Sequence, residues 1–524
     1  MDFNTAKQIA KRILGSTIRR SPDGSGFVVQ DKQKQPVESS QITPTEAKKK
    51  ELIPKSKMNT DDESSRAPAQ QSATVQRMTV GLDFGTAFTK VVVWGRAPHV
   101  IKLRDQVSHG EEFLLPTEIW WTEKGEYSLT KLNDGQRARD LKKRILLDKL
   151  DDESKYRIVA YLAFVFVRTR NWIKENKQDI YFNRGFDWYL NVGLPTSTYN
   201  NEKLEKLYCD LISAAWLLSD DDHRISKESV IDALQGRSAR DLEAGKIGIS
   251  KEKIHAFPEF VAQVTGYVRS SSRRRGIHLL VDVGAGTVDS TIFNVHRQDY
   301  EDKHPIFDSS VTYTGAESLV LHRLDEPGYS GDWEPSVDAP IPSREFFSEK
   351  MGIPIKRIIE AEKNLEEEVY LPIAKMINYT KSEMAPIQAE WTTGVPLFLT
   401  GGGSAIDFYQ EITASVCNNW KAQNIHIEGS QLPKPQDLDA DKLPTEYFHR
   451  LSVAYGLAHG ALDIGTITNL RPFQNRSRNR PGAAESCPQC QGTGGGYGNC
   501  LKCGGSGWIN QWPYGMEERK GSNL

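Results

Sequence analysis

The sequence predicts an α/β protein built of two similar lobes, and two observations carry that prediction. From Met78 to about Leu470, strand-like runs rich in β-branched and aromatic residues alternate with runs whose apolar residues recur at helical spacing. Within that span one local design occurs twice: an apolar strand delivers an aspartate to a turn bearing glycine and threonine, and a β-branched strand leaves it.

The first copy is Val80-Gly81-Leu82-Asp83-Phe84-Gly85-Thr86-Ala87-Phe88-Thr89-Lys90. Gly85 has no Cβ and lets the backbone approach a ligand. Thr86 offers a hydroxyl and an N–H, Asp83 a carboxylate at the strand end, and Lys90 an ammonium that can reach back to the same place. A donor-rich turn with one carboxylate and one lysine suits a phosphate and its magnesium ion. The second copy is Leu279-Leu280-Val281-Asp282-Val283-Gly284-Ala285-Gly286-Thr287-Val288-Asp289. Its Asp-x-Gly-x-Gly-Thr pattern is more demanding, and the pair predicts a duplicated domain with phosphates gripped between the copies. A third element, Val395 to Ser404, runs an apolar strand into Gly401, Gly402, Gly403 and Ser404 and then into a helix from Ala405 to Val416, so that a base or ribose can lie against bare backbone.

Around these motifs the chain predicts strands at Val100–Leu103, Phe113–Trp121 with an edge or bend at Pro116, and Trp188–Pro195. Helices are predicted over 140–150, 156–174 and 202–219. Ala6, Ile9, Ala10, Ile13 and Leu14, with Lys7, Lys11 and Arg12, predict a short basic amphipathic helix within residues 1–20, and Phe27–Val29 a strand. Residues 31–77 are rich in Gln, Ser, Thr, Pro, Lys and Glu and predict a disordered linker.

With 38% hydrophobic and 26% charged residues the composition is that of an ordinary globular protein, and a net charge of -2 gives no reason to expect affinity for polyanions. No apolar run is long enough to span a bilayer, and no secretory h-region is evident. Of six cysteines, Cys209 and Cys417 stand alone and read as buried free thiols, which fits a reducing, cytoplasmic compartment. The other four form two Cys-x-x-Cys-x-Gly-x-Gly knuckles, Cys487/Cys490 and Cys500/Cys503, enough thiolates for one closed tetrahedral zinc site. A redox disulfide pair is the weaker reading, because no βαβ unit surrounds it. The nearby aromatics form no stacking platform, so nucleic acid is not an expected partner.

Asp-x-Gly-Thr at 83–86, Asp-x-Gly-x-Gly-Thr at 282–287 and Gly-Gly-Gly-Ser at 401–404 resemble, in order, the phosphate 1, phosphate 2 and adenosine motifs of the actin, sugar kinase and heat-shock protein 70 superfamily. Phe257–Ala262 and Ser452–Ala458 resemble its two connect segments, and Leu141–Leu146 the segment carrying the DnaK-type catalytic lysine, which would be Lys143. Lys90 instead resembles the phosphate-contacting lysine of actin-like proteins. The resemblance covers about residues 78–468 and implies two RNase H-like lobes closing on ATP and Mg2+. Asp83 and Asp282 would hold magnesium through water. Gly85, Thr86, Ala87, Gly284, Gly286, Thr287, Gly402, Gly403 and Ser404 would line the nucleotide. Glu259 would position the attacking water, with Lys90 or Lys143 neutralising charge. The knuckles resemble DnaJ-type zinc repeats, which implies a module that engages a client or partner protein in place of a DnaK-type peptide-binding domain.

The expected organisation is an N-terminal helix and strand arm (1–30), a linker (31–77), lobe I (78–276), lobe II (277–448), a return helix to lobe I (449–469), a basic linker (470–486), a zinc module (487–510) and a tail (511–524). The expected function is that of a DnaK-like ATPase acting as a conformational switch on a protein partner, reached through the zinc module or the N-terminal helix. An actin-like filament protein and a phosphotransferase of the same superfamily are the alternatives.

Overall fold

A computed structural model describes residues 75–469, apart from 106, 108–109, 140, 147–149, 196–200, 221–224, 237–248, 299–300, 326–340, 439–442 and 444–446, and four short strands outside that span. Strand β1, Val75–Phe84, is buried on both faces from Met78 onward, as a central strand covered by two layers must be. It begins inside the stretch expected as linker, because Val75, Gln76 and Arg77 pair in register with Gly185, Phe186 and Asp187. Strand β2, Phe88–Trp94, returns antiparallel to β1, and β3, Pro98–Val100, follows it. Helix α1, Asp152–Asn176, crosses to β4, Gly185–Leu194, which lies parallel to β1. Asp151 caps α1 by accepting from the Ser154 N–H. Helix α2, Glu202–Leu217, then leads to β5, Ile254–Pro258, parallel to β4. The sheet order is β5-β4-β1-β2-β3, with Leu115–Pro116 added to β2. Pro116 marks the expected bend: the chain leaves this sheet there, and Ile119–Trp121 joins a separate three-stranded sheet.

After helix α3, Glu259–Val268, the same sequence of events is repeated. Strands β6, Gly276–Val283, β7, Val288–Gln298, and β8, Glu301–Thr312, form an antiparallel meander. Helix α4, Ile355–Tyr379, leads to β9, Val395–Thr400, parallel to β6. Helix α5, Asp407–Asn419, leads to β10, Ile427–Ser430, parallel to β9. Helix α6, Phe448–Leu457, follows, and β11, Thr466–Asn469, closes the far edge. The order β10-β9-β6-β7-β8-β11 repeats the first sheet's plan with one strand added. The protein is thus a mixed α/β structure in which the two halves share one topology.

The two halves exchange helices. Helix α3 ends the first half but packs on the second sheet, with Phe260 against Phe293 and Tyr267 against Phe398. Helix α6 ends the second half but lies on β1, where a Cβ on Gly81 would collide with the backbone of Ala454 and Ala458. Asn191 on β4 donates to the carbonyls of Leu457 and His459, at 2.7 and 2.9 Å, and so satisfies the open end of α6. The two helices touch where Gly456 meets the carbonyl of Ala262 so closely that no side chain fits. Gly456→Val is therefore expected to cost at least about 2 kcal/mol of stability, measured by urea unfolding. An unchanged midpoint would refute this crossing.

The second sheet buries three histidines. Desolvation pushes His278 down to about 3, His304 to about 3 and His296 to about 4. Unfolded histidine titrates near about 6.5, so below that pH the unfolded chain takes up protons that the folded chain refuses. Stability is present above about pH 6.5 and is lost on acidification, by at most about 1.4 kcal/mol per pH unit for each histidine. His278→Gln should lose less stability between pH 7 and pH 5 than the wild type. Parallel curves would show that His278 charges freely in the folded state.

Outside the main body, Thr17–Arg20 pairs antiparallel with Phe27–Gln30. Residues 17–20 are therefore strand, as backbone pairing and β-branched Thr17 and Ile18 favour extension; the helix expected on Ala6–Leu14 lies outside the described residues. Glu485–Ser486 pairs with Trp508–Ile509 across the four-cysteine stretch, whose cysteines also lie outside them. Cys209 and Cys417 are half-buried free thiols. Among the described residues no helix is long and apolar enough to cross a membrane.

Candidate functional site

The β1–β2 register sets Asp83 directly opposite Lys90, and Lys90 Nζ donates to Asp83 Oδ2 at 2.7 Å. Both side chains are largely buried, so the pair is not a solvated surface contact. Between them the turn requires glycine at 85, since a Cβ there would collide with the carbonyl of Phe88. Thr86 stands at the tip, and the carbonyl of Ala87 accepts from the Thr117 N–H at 2.8 Å.

The second turn is built alike. Asp282 pairs with Asp289 across β6 and β7, the Gly284 N–H donates to the Thr287 carbonyl at 2.8 Å, and Thr287 Oγ1 donates to Asp289 Oδ2 at 2.9 Å. The start of the helix Ala316–Asp325 underpins it: the N–H groups of Ala316 and Glu317 donate to the carbonyls of Gly284 and Ala285, at 3.0 and 2.8 Å. The two turns face each other. A Cβ on Gly286 would lie 3.5 Å from Thr86 Cγ2, so a phosphate between them requires the turns to separate.

The third turn joins the second. Thr400 is in register with Asp282, and its hydroxyl lies 3.3 Å from Asp282 Oδ1. Gly401 has φ 81°, in the left-handed region, and a Cβ there would collide with that same carboxylate. Gly402, Gly403 and Ser404 form a 3-10 turn, Gly403 is pressed on Val283, and Ser404 Oγ donates to the Gly401 carbonyl at 2.8 Å. The expected helix from Ala405 thus begins as this turn, with α5 proper starting at Asp407.

Glu259 opens α3 directly after Pro258 and forms a buried ion pair with Lys142 of the short helix Leu141–Leu146. Lys143, offered by the sequence as an alternative to Lys90, is half-buried and is not the one in this pair. One residue turns a helix by roughly 100°, so neighbouring lysines cannot serve the same site. Burial works against the charge on Lys142, but Glu259, with Tyr208 and Asp83, holds its pKa above the usual lysine range. Burial pushes Asp282 up to about 6, and Glu259 and Asp83 add to the shift. Asp289 rises to about 7 through burial, then through Glu259 and Asp282. Four carboxylates thus meet two ammonium groups, and the excess negative charge favours a cation.

Asp289 Oδ1 is buried without a hydrogen-bond partner, and the glycine turns leave backbone bare where a side chain would intrude. Among the described residues no three His, Cys, Asp or Glu side chains come close enough to ligate a metal directly. A magnesium ion that keeps its waters needs no such closeness.

Sequence reasoning passed over three residues. Lys142 adjoins Lys143, one of the two lysines it offered. Gln263 lies one helical turn beyond Glu259, a spacing that places both on one face. Arg450 has its guanidinium 5.3 Å from the Phe88 ring centroid and beside Gly402, linking the first and third turns, and nothing local in the sequence marks it. Searches for similarity leave the site to speak for itself: no protein-family model matches the chain, and no curated protein matches it.

Proposed function

We propose that this chain is an ATP-binding switch protein of the actin and heat-shock protein 70 type, which hydrolyses ATP between two RNase H-like lobes. The observation that carries the reading is the meeting of the two hairpin turns, with Asp83 and Asp282 at their strand ends and the Glu259–Lys142 pair beside them. In this reading Thr86, Ala87, Gly284, Gly286 and Thr287 present N–H and hydroxyl donors to the phosphates, and Gly402, Gly403 and Ser404 lie against the nucleoside. Asp83 and Asp282 would hold magnesium through water, and the ion would supply positive charge to the transferring phosphoryl group. Glu259 orients the attacking water and accepts its proton, while Lys142 keeps Glu259 in place and Lys90 offsets charge near the phosphates. The exchange of α3 and α6 between the halves gives lobe closure a route to a distant partner.

A protein partner would be engaged through the C-terminal module. The pairing of Glu485–Ser486 with Trp508–Ile509 brings together the flanks of the stretch holding Cys487, Cys490, Cys500 and Cys503, which suits four thiolates closing on one zinc ion. The Lys90–Asp83 contact favours a second reading, an actin-like filament protein, because it places the actin-type lysine in the site.

The test is magnesium-dependent ATP hydrolysis by the full chain beside Asp83→Ala, with sedimentation in the presence and absence of ATP. Hydrolysis that the substitution removes, without sedimentation, supports the switch. ATP-driven pelleting moves the protein to the filament reading, and a rate equal in both chains refutes the site.

A further inference from the structure

One feature of the site is left over by phosphates and by a water-held magnesium ion. Between α3 and the second sheet lies a cavity of about 10 Å3, lined by Glu259, Gln263, Asp282, Asp289 and Thr291 together with apolar Phe260 and Leu280. That is about the least volume that admits one water. Two buried acceptors belong to its lining, Gln263 Oε1 and Asp289 Oδ1, and neither has a hydrogen-bond partner. While Asp289 is ionised the two acceptors cannot satisfy each other, and burying both without a donor is costly. A single water carries two O–H donors, and the cavity has polar groups enough to hold it.

Gln263 is the residue that makes this arrangement specific. It is only 2% exposed, although it is a polar amide on a largely apolar helix. It lines the cavity beside Asp282, where its amide favours the ionised carboxylate. With the amide nitrogen turned toward Asp282, the amide oxygen is left as a buried acceptor in the cavity. The same side chain therefore speaks to a carboxylate of the second lobe through its nitrogen and to the cavity through its oxygen. It stands one turn from Glu259, the last carboxylate of the first lobe.

We infer that Gln263 is a positioning residue of this site: it holds one water against Asp289 in the cavity beside Glu259 and fixes the carboxylate of Asp282. The inference rests on the hydrolysis proposed above. Its consequence is that Glu259 and Asp282, which come from different halves of the chain, keep one spacing when the lobes close. Losing Gln263 should slow turnover and leave nucleotide affinity in place, because the phosphate-binding turns do not depend on it.

Two measurements on the full chain test this. Steady-state ATP hydrolysis at saturating magnesium compares the wild type with Gln263→Met, which keeps the volume, and Gln263→Glu, which keeps the shape and removes the N–H toward Asp282. In both, kcat should fall about 10- to 100-fold, the worth of a hydrogen bond to a charged group, with KM for ATP within about threefold. An unchanged kcat in both variants, or a change confined to KM, overturns the inference. A crystal structure of the wild type should show a water within hydrogen-bond distance of Gln263 Oε1 and Asp289 Oδ1, absent in Gln263→Met. A dry cavity overturns the inference even if ATP is hydrolysed. A wild type that hydrolyses no ATP sinks the proposed function, and the crystal structure then still decides whether Gln263 holds the water.

Discussion

Glu259→Gln is expected to lower kcat for ATP hydrolysis by about 10²- to 10⁴-fold, the range that a positioned general base contributes. The amide cannot accept a proton from the attacking water, yet it keeps the shape of the side chain that lies against Gly193 and Lys142. Nucleotide affinity should therefore change little. Single-turnover hydrolysis and equilibrium binding of ATP, measured on the same preparation, separate the two effects. A variant that hydrolyses at the wild-type rate would remove Glu259 from the chemistry and leave it as a carboxylate at a helix start.

The second large effect is expected at Lys142. Its side chain is 6% exposed and that of Glu259 16%, so Lys142→Met leaves a buried carboxylate without its partner. Breaking a buried pair in this way costs roughly 3–5 kcal/mol, and the variant should also lose most of its turnover. Lys143→Met, one residue away, should remain close to the wild type in both respects. Urea unfolding and ATP hydrolysis of the two variants side by side check this. Equal losses at both positions, or a loss only at Lys143, would reverse the assignment drawn from the ion pair. Lys90→Met falls between them: Asp83 loses its partner at 2.7 Å, and the loss should appear first in binding of the phosphates.

The two hairpin turns were legible in the sequence because their chemistry is local. Asp83, Gly85, Thr86 and Lys90 belong to one short stretch, and a strand–turn–strand pattern places them without knowledge of the rest of the chain. The duplicated α/β plan was legible for a related reason: the same short design occurs at Asp282–Asp289, and alternating strand and helix runs surround both. Lys142 was not, because choosing between neighbouring lysines requires the rotation of the Leu141–Leu146 helix about its axis, which packing sets. Gln263 and Arg450 were hidden for the same cause. Each enters the site through tertiary contact, Gln263 with Asp282 on a strand of the other half and Arg450 with Phe88 far earlier in the chain. The helix exchange depends on Gly81 and Gly456, whose role is to be small where backbones meet, and a lone glycine in a strand or helix pattern does not announce that. At the N-terminus, the helix read from Ala6 to Leu14 lies outside the described residues, and Thr17–Arg20 pairs as strand with Phe27–Gln30.

The central claim is that the two facing turns bind the phosphates of a nucleotide with magnesium. Calorimetric titration of ATP and magnesium into the full chain, beside Asp282→Ala, tests it most directly. The account predicts saturable, magnesium-dependent binding by the wild type and a loss of about 100-fold or more in affinity for the variant, since one carboxylate at such a site is worth several hydrogen bonds. No binding by the wild type, or equal binding by the two chains, would contradict it.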